Sequence, residues 1–208
     1  MSLKNRDEEF WNTATHLLGL IFSIIGLPIL LYNNRNLTEF SILSICFFGF
    51  GMICLYTAST LYHYTKKLKL KKKLRVFDHI SIFYLIAGSY APICLITLYK
   101  GSGLKIFISI VAIAFLGTVY KLFFTGKFEK FSLILYLAMG WLIILDFNTI
   151  LNILNFNGVV LLIFTGFFYS FGTIFYSLQK IKYSHTIWHL FVLAGSTSHY
   201  FLVLLYVI

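Results

Sequence analysis

Charge is scarce in this chain. Asp, Glu, Lys and Arg together make up 12% of 208 residues, against roughly a quarter in a soluble domain. So little charge cannot clothe a water-soluble fold. Acids are the scarcest, seven against seventeen Lys and Arg. Proline occurs only twice, so long helices can run without interruption. Period-two alternation of apolar and polar residues is absent, which excludes a lipid-facing β-barrel. Cysteine is also rare: Cys46, Cys54 and Cys94 are odd in number, form no CxxC and lie in apolar runs. They read as buried thiols. What fills the chain instead is hydrophobic residues, at 59% with 19% aromatic, and a mean hydropathy of +0.85. The class is an all-α polytopic membrane protein.

Uncharged stretches locate the spans. Phe10–Asn34, Phe40–Thr65, His79–Tyr99 and Tyr183–Ile208 run for 25, 26, 21 and 26 residues, each enough for the ~20 that a membrane helix needs. Leu104–Phe124 is a further span, with Lys105 and Lys121 near its ends and able to snorkel to the headgroups. Within Phe147–Gln179, the asparagines at 148, 152, 155 and 157 and Gly158 mark a loop, and a span follows from about Val159. Phe131–Leu145 has only 15 uncharged residues before Asp146. It is counted as a span that continues to Ile150 with the carboxylate at the interface. The expectation is a single seven-helix domain over 1–208, with spans at about 11–32, 40–63, 78–98, 104–124, 131–150, 159–178 and 185–206.

The net charge of +10 does not point to nucleic acid, because the basic residues sit in short loops between spans. Seven spans place fourteen of the seventeen Lys and Arg on the side of the N-terminus, half of them in the run Lys66–Arg75. Cytoplasmic loops are the basic ones, so the N-terminus is expected inside and the C-terminus outside. Omitting the fifth span weakens that bias. A secretory signal peptide is not expected, since Asp7, Glu8 and Glu9 precede an apolar run that is too long and has no small-residue cleavage site.

This topology places four ionisable residues at one membrane depth. His63 ends span two, Asp78 opens span three, and His185 and His189 open span seven. Ionisable groups inside spans are functional candidates by default. The spacing of four in Ser184-His185-Thr186-Ile187-Trp188-His189 stacks two imidazoles on one helix face. Ser59 lies one turn deeper than His63 on the same face. Three imidazoles leave one position open in the tetrahedron that zinc prefers, the pattern of a catalytic site. A carboxylate beside it can hold the bound water, whose pKa falls to about 7 on zinc. The residues between the two histidines include no acid, so Asp78 is the candidate base.

The segments Ser59-Thr60-Leu61-Tyr62-His63, Phe77-Asp78-His79, Leu85-Ile86-Ala87-Gly88-Ser89-Tyr90-Ala91-Pro92, Met139-Gly140-Trp141 and Ser184–Val192 resemble the hemolysin III family. That family is related to the progestin and adiponectin receptors and, more widely, to the alkaline ceramidases. The likeness begins at Glu8-Glu9 and Thr15-His16 and covers nearly the whole chain. It implies a seven-helix bundle with a cytoplasmic N-terminus, zinc on His63, His185 and His189, Asp78 holding the metal-bound water, and Ser59 close to the metal. It also suggests a bacterial inner (plasma) membrane.

Three functions follow as expectations. The first is a zinc-dependent hydrolase of a lipid amide or ester, and the second a receptor-like or lipid-homeostasis protein with structural zinc. The third, a cytolysin, has little physical support, because a chain consumed by spans has no soluble form from which to insert. Membrane lipids are the expected partners, and the basic run can also hold anionic headgroups. Of the other histidines, His199 is too deep to share the metal and is assigned a cavity hydrogen bond. His79 points away from Asp78, and His16 reads as interfacial.

Overall fold

The computed structural model describes residues 3–178 and 180–208. Among these the ordered elements are all helical. They are α1 (Leu3–Asn33), α2 (Ser41–Tyr64), α3 (Leu68–Pro92), α4 (Gly103–Phe124), α5 (Glu129–Gly140), α6 (Phe147–Ile153), α7 (Phe156–Ser177) and α8 (Ser184–Leu202). A wide π turn extends α3 over Ile93–Thr97 and another extends α8 over Val203–Val207. A 3-10 turn, Leu142–Asp146, joins α5 to α6. Seven helical stretches among the described residues are long and apolar enough to cross a membrane, with α5 and α6 together making the fifth. The chain is an integral membrane protein.

Neighbours in sequence pack as neighbours in space, and α8 returns against α1 to close the ring. α3 is the most enclosed span and the fifth is the least. Its partner α2 approaches it backbone to backbone. A Cβ on Gly51 would lie 2.5 Å from the Tyr84 carbonyl oxygen, and one on Gly88 would lie 2.9 Å from that of Phe47. Small residues of this kind are what let membrane helices touch where lipid supplies no hydrophobic drive. Phe48, Met52, Tyr56 and Phe83 fill the core beside that contact. The α2–α3 seam thereby fixes His63 at one end of α2 relative to Asp78 on α3. By contrast, α5 packs thinly on α7.

Several expectations need correction. Most of the basic run is not a loop, because α3 begins at Leu68 and carries Lys69–Arg75 on its first turns. Lys121 does not snorkel. It is fully buried, with its ammonium 2.8 Å from Glu129, because the turn through Gly126 and Phe128, both at positive φ, brings the carboxylate back over it. The asparagine-rich stretch is not a loop either: Asn148 and Asn152 lie in α6. α7 starts at Phe156, capped by the Asn155 side chain, which accepts from the Gly158 amide at 2.9 Å. The cysteines are free, yet Cys46 is exposed and Cys54 partly so, leaving Cys94 alone buried. In a membrane protein an outward thiol on a span is bathed in lipid, so its hydropathy carries no information about burial.

Candidate metal centre

Three helix ends build the site. His63 lies in the last turn of α2, while His185 and His189 occupy the first two turns of α8. One ligand nitrogen from each of the three lies within 4.8 Å of the others, a group able to hold a metal ion. The ring centroids stand 5.1 Å apart for His63 and His185, 5.0 Å for His63 and His189, and 4.6 Å for His185 and His189.

The hydrogen bonds around these rings decide which nitrogens are available. Nδ1 of His63 donates to Glu9 Oε2 at 2.8 Å, and Glu9 Oε1 accepts from Lys71 Nζ at 2.9 Å. The remaining nitrogen, His63 Nε2, is buried and has no partner among the described residues. Nδ1 of His189 lies 3.2 Å from the Asn12 carbonyl oxygen, which can only accept. With the proton on Nδ1 toward this carbonyl, Nε2 of His189 keeps its lone pair. An imidazole tied by one nitrogen to a carboxylate or carbonyl, and left open at the other, is how zinc-binding histidines are held. The donor set fits zinc.

Glu9 and Asn12 were not singled out by the sequence reading, and neither was Lys71. The signal was present in the spacing of Glu9, Asn12 and His16, three and then four residues apart, which places all of them on one face of α1. Thr186 Oγ1 donates to Asn12 Oδ1 at 2.6 Å and pins α8 to that face. His16 is not interfacial. It is buried and stacks on His189 with centroids 3.6 Å apart and planes 14° from parallel. Neither of its ring nitrogens has a partner among the described residues.

Asp78 does not belong to the ligand cluster, but it lines the same cavity as His185, His189 and Ser59. Ser59 is buried, and its hydroxyl has no partner among the described residues. The cavity measures about 510 Å³, within the ~300–1,000 Å³ typical of small-molecule sites. Its walls are mostly apolar, contributed by α3, α5, α7 and α8, and include Ile86, Leu137, Ile144, Leu162, Ile163 and Val192. Ile144 and Ile163 are exposed, and a Cβ added to Gly140 would meet nothing within 4 Å; all three line the cavity beside the thin contact of α5 with α7. Farther along the cavity, His199 Nε2 donates to the Ser89 carbonyl at 2.8 Å, a bond between α8 and α3. His79 faces away from the cluster toward Glu129, 3.4 Å from its carboxylate.

A family model described as Haemolysin-III related matches residues 4–200. Hemolysin-3 of Bacillus cereus is 39% identical over 202 residues, covering 97% of this chain and 92% of that protein. A Hemolysin-3 homolog of Bacillus subtilis (strain 168) is 40% identical over 96% of this chain and 94% of its own. The human Monocyte to macrophage differentiation factor is 29% identical over 94% and 83%, and ties the chain to the progestin and adiponectin receptor group. No solved structure matches. The chain belongs to the haemolysin-III-related family.

Proposed function

We propose that this haemolysin-III-related membrane protein is a zinc-dependent hydrolase of a lipid amide or ester. It sits in a bacterial plasma membrane, N-terminus inside, with its metal centre toward the cytoplasm. One observation carries the reading: three histidines converge beside an apolar cavity that also presents a carboxylate and a hydroxyl with no partner among the described residues. His63, His185 and His189 would hold the ion. Bound there, zinc would polarise the scissile carbonyl and make water acidic enough to attack near neutral pH.

The chain's own groups do the rest. The apolar walls hold the acyl chain and keep bulk water from the carbonyl carbon, which strengthens every charge interaction inside. Asp78 takes the proton from the attacking water and returns it to the leaving nitrogen or oxygen. The Ser59 hydroxyl donates to the carbonyl oxygen as negative charge gathers on it. The name of the Bacillus relatives suggests lysis of cells. With seven spans, however, this chain has no water-soluble state from which to insert, and a lipid-hydrolysing activity damages membranes without any pore.

Asp78→Asn tests the reading. The three imidazoles still bind zinc, so metal content should be unchanged, while turnover should fall by ~10²–10⁴-fold, the usual contribution of general-base catalysis. Fatty-acid release from amide and ester lipids is measured in reconstituted vesicles, with zinc determined on the same samples. Full turnover in Asp78→Asn removes it as the base. No release from any lipid leaves the receptor-like role with structural zinc.

A further inference from the structure

A second chamber of about 220 Å³ adjoins the apolar cavity, and its surface is mainly polar. Asp78, His79, Tyr176 and His185 line both. The two spaces therefore meet at a metal-ligating ring and at the carboxylate assigned as base. On its own side the chamber adds Glu8, Tyr62, Arg75 and Ser184. Resting on the hydrolase reading above, we propose that this chamber holds the leaving group. The substrate then has one long apolar chain joined through an amide to a small headgroup that carries an anion, as in an N-acyl amino acid.

Volume argues first. At about 220 Å³ the chamber is less than half the size of the apolar cavity, room for a small headgroup. A leaving group that is itself a long-chain amine would lay its chain against a mainly polar surface.

Charge argues second. Hydrolysis adds water's oxygen to the carbonyl carbon, breaks the C–N bond and returns the proton to nitrogen. The products are a fatty carboxylate and an amine, which is protonated at neutral pH. If the headgroup already bears an anion, the released fragment is zwitterionic. The chamber offers both complements, the Glu8 carboxylate for the ammonium and the Arg75 guanidinium for the anion. Arg75 lies 3.6 Å from Glu129, longer than the ~2.7–2.9 Å of a charge-assisted hydrogen bond, so its planar fork has donors left for a carboxylate.

The test compares three lipids in vesicles containing the zinc-loaded protein: N-palmitoylglycine, N-palmitoylethanolamine and a C16 ceramide. The kcat/KM should be highest for the acylglycine and at least ~10-fold lower for the ceramide. Arg75→Ala should raise KM for the acylglycine by ~10-fold or more, as expected for a lost hydrogen bond to a charged group. It should leave the ethanolamide nearly unchanged, and Arg75→Lys should recover part of the loss at equal zinc content. Ceramide as the preferred substrate, or equal effects of Arg75→Ala on both single-chain amides, overturns the proposal while the hydrolase reading stands. No release from any amide or ester lipid defeats that reading instead. The chamber is then read by equilibrium binding of a fluorescent N-acylglycine, where absence of binding, or binding indifferent to Arg75→Ala, overturns the proposal as well.

Discussion

Replacing Glu9 by alanine removes a group that touches no metal, yet it should weaken zinc binding. Glu9 accepts the Nδ1 proton of His63 at 2.8 Å and is itself held by Lys71 at 2.9 Å. The carboxylate fixes the tautomer that leaves Nε2 bare. Without it the buried Nδ1–H has lost its partner, and an unpaired buried donor costs about 1–3 kcal/mol. The ring can escape that penalty by moving its proton to Nε2, which blocks the ligand position. Losing an outer partner of a zinc histidine typically lowers affinity by ~10–100-fold, or roughly 1.4–2.8 kcal/mol. The His63 side chain is only 4% exposed, so water cannot easily replace the carboxylate, and Glu9→Ala belongs at the upper end. Glu9→Gln keeps an acceptor oxygen but loses the charge, and belongs at the lower end. Lys71→Ala, which loosens the carboxylate without removing it, should cost still less. Affinity is measured by chelator competition in detergent, with thermal unfolding of the zinc-loaded proteins as the check on folding. Wild-type affinity in Glu9→Ala would refute the reasoning, because His63 would then be held in place by something else.

His185→Ala and His189→Ala should each take zinc from about one per chain toward zero by elemental analysis, and equal zinc in both variants and wild type would remove the site. In a background without native cysteines, Lys72→Cys and Lys100→Cys, both at exposed positions, should label from opposite sides of the membrane, with residue 72 protected in intact cells. Labelling of residue 72 from outside would invert the topology. Gly51→Val should lower the thermal midpoint in detergent, since its Cβ would meet a backbone oxygen at 2.5 Å and overpacking of this kind costs about 1–3 kcal/mol. An unchanged midpoint would mean that the α2–α3 seam yields more easily than its backbone contact implies.

The helices were legible because bilayer thickness imposes a length on every span, and charge marks where each one ends. The fifth span, read as continuing past Asp146 to Ile150, does so: the Asp146 carboxylate accepts from Ser102 just before α4 and from Thr149 one turn on. With those partners the chain bends through a 3-10 turn and continues as α6. Lys121 reads as snorkelling because its partner, Glu129, follows a turn whose left-handed residues gave no strong sequence signal. At Lys121 a charge stays in the bundle because Glu129 supplies its counterpart, and hydropathy, which scores each residue alone, cannot register such a pairing.

The same distinction separates the parts of the metal centre. His63, His185 and His189 were legible because a histidine in a span needs a reason, and three at one depth share one. Glu9 looked like part of an acidic N-terminal flank, and His16 like an interfacial residue, because α1 begins before its uncharged stretch does. Once α1 is continuous from Leu3, Glu9, Asn12 and His16 become three successive polar residues on one helical face. Each then meets a histidine of the cluster: Glu9 bonds His63, the Asn12 carbonyl bonds His189, and His16 stacks on His189. The three histidines come from α2 and α8, which meet where both pack on α1. The first helix is therefore the frame of the site, and substitutions on its Glu9 face should disturb zinc affinity more than equally drastic changes on α7, which contributes only cavity wall.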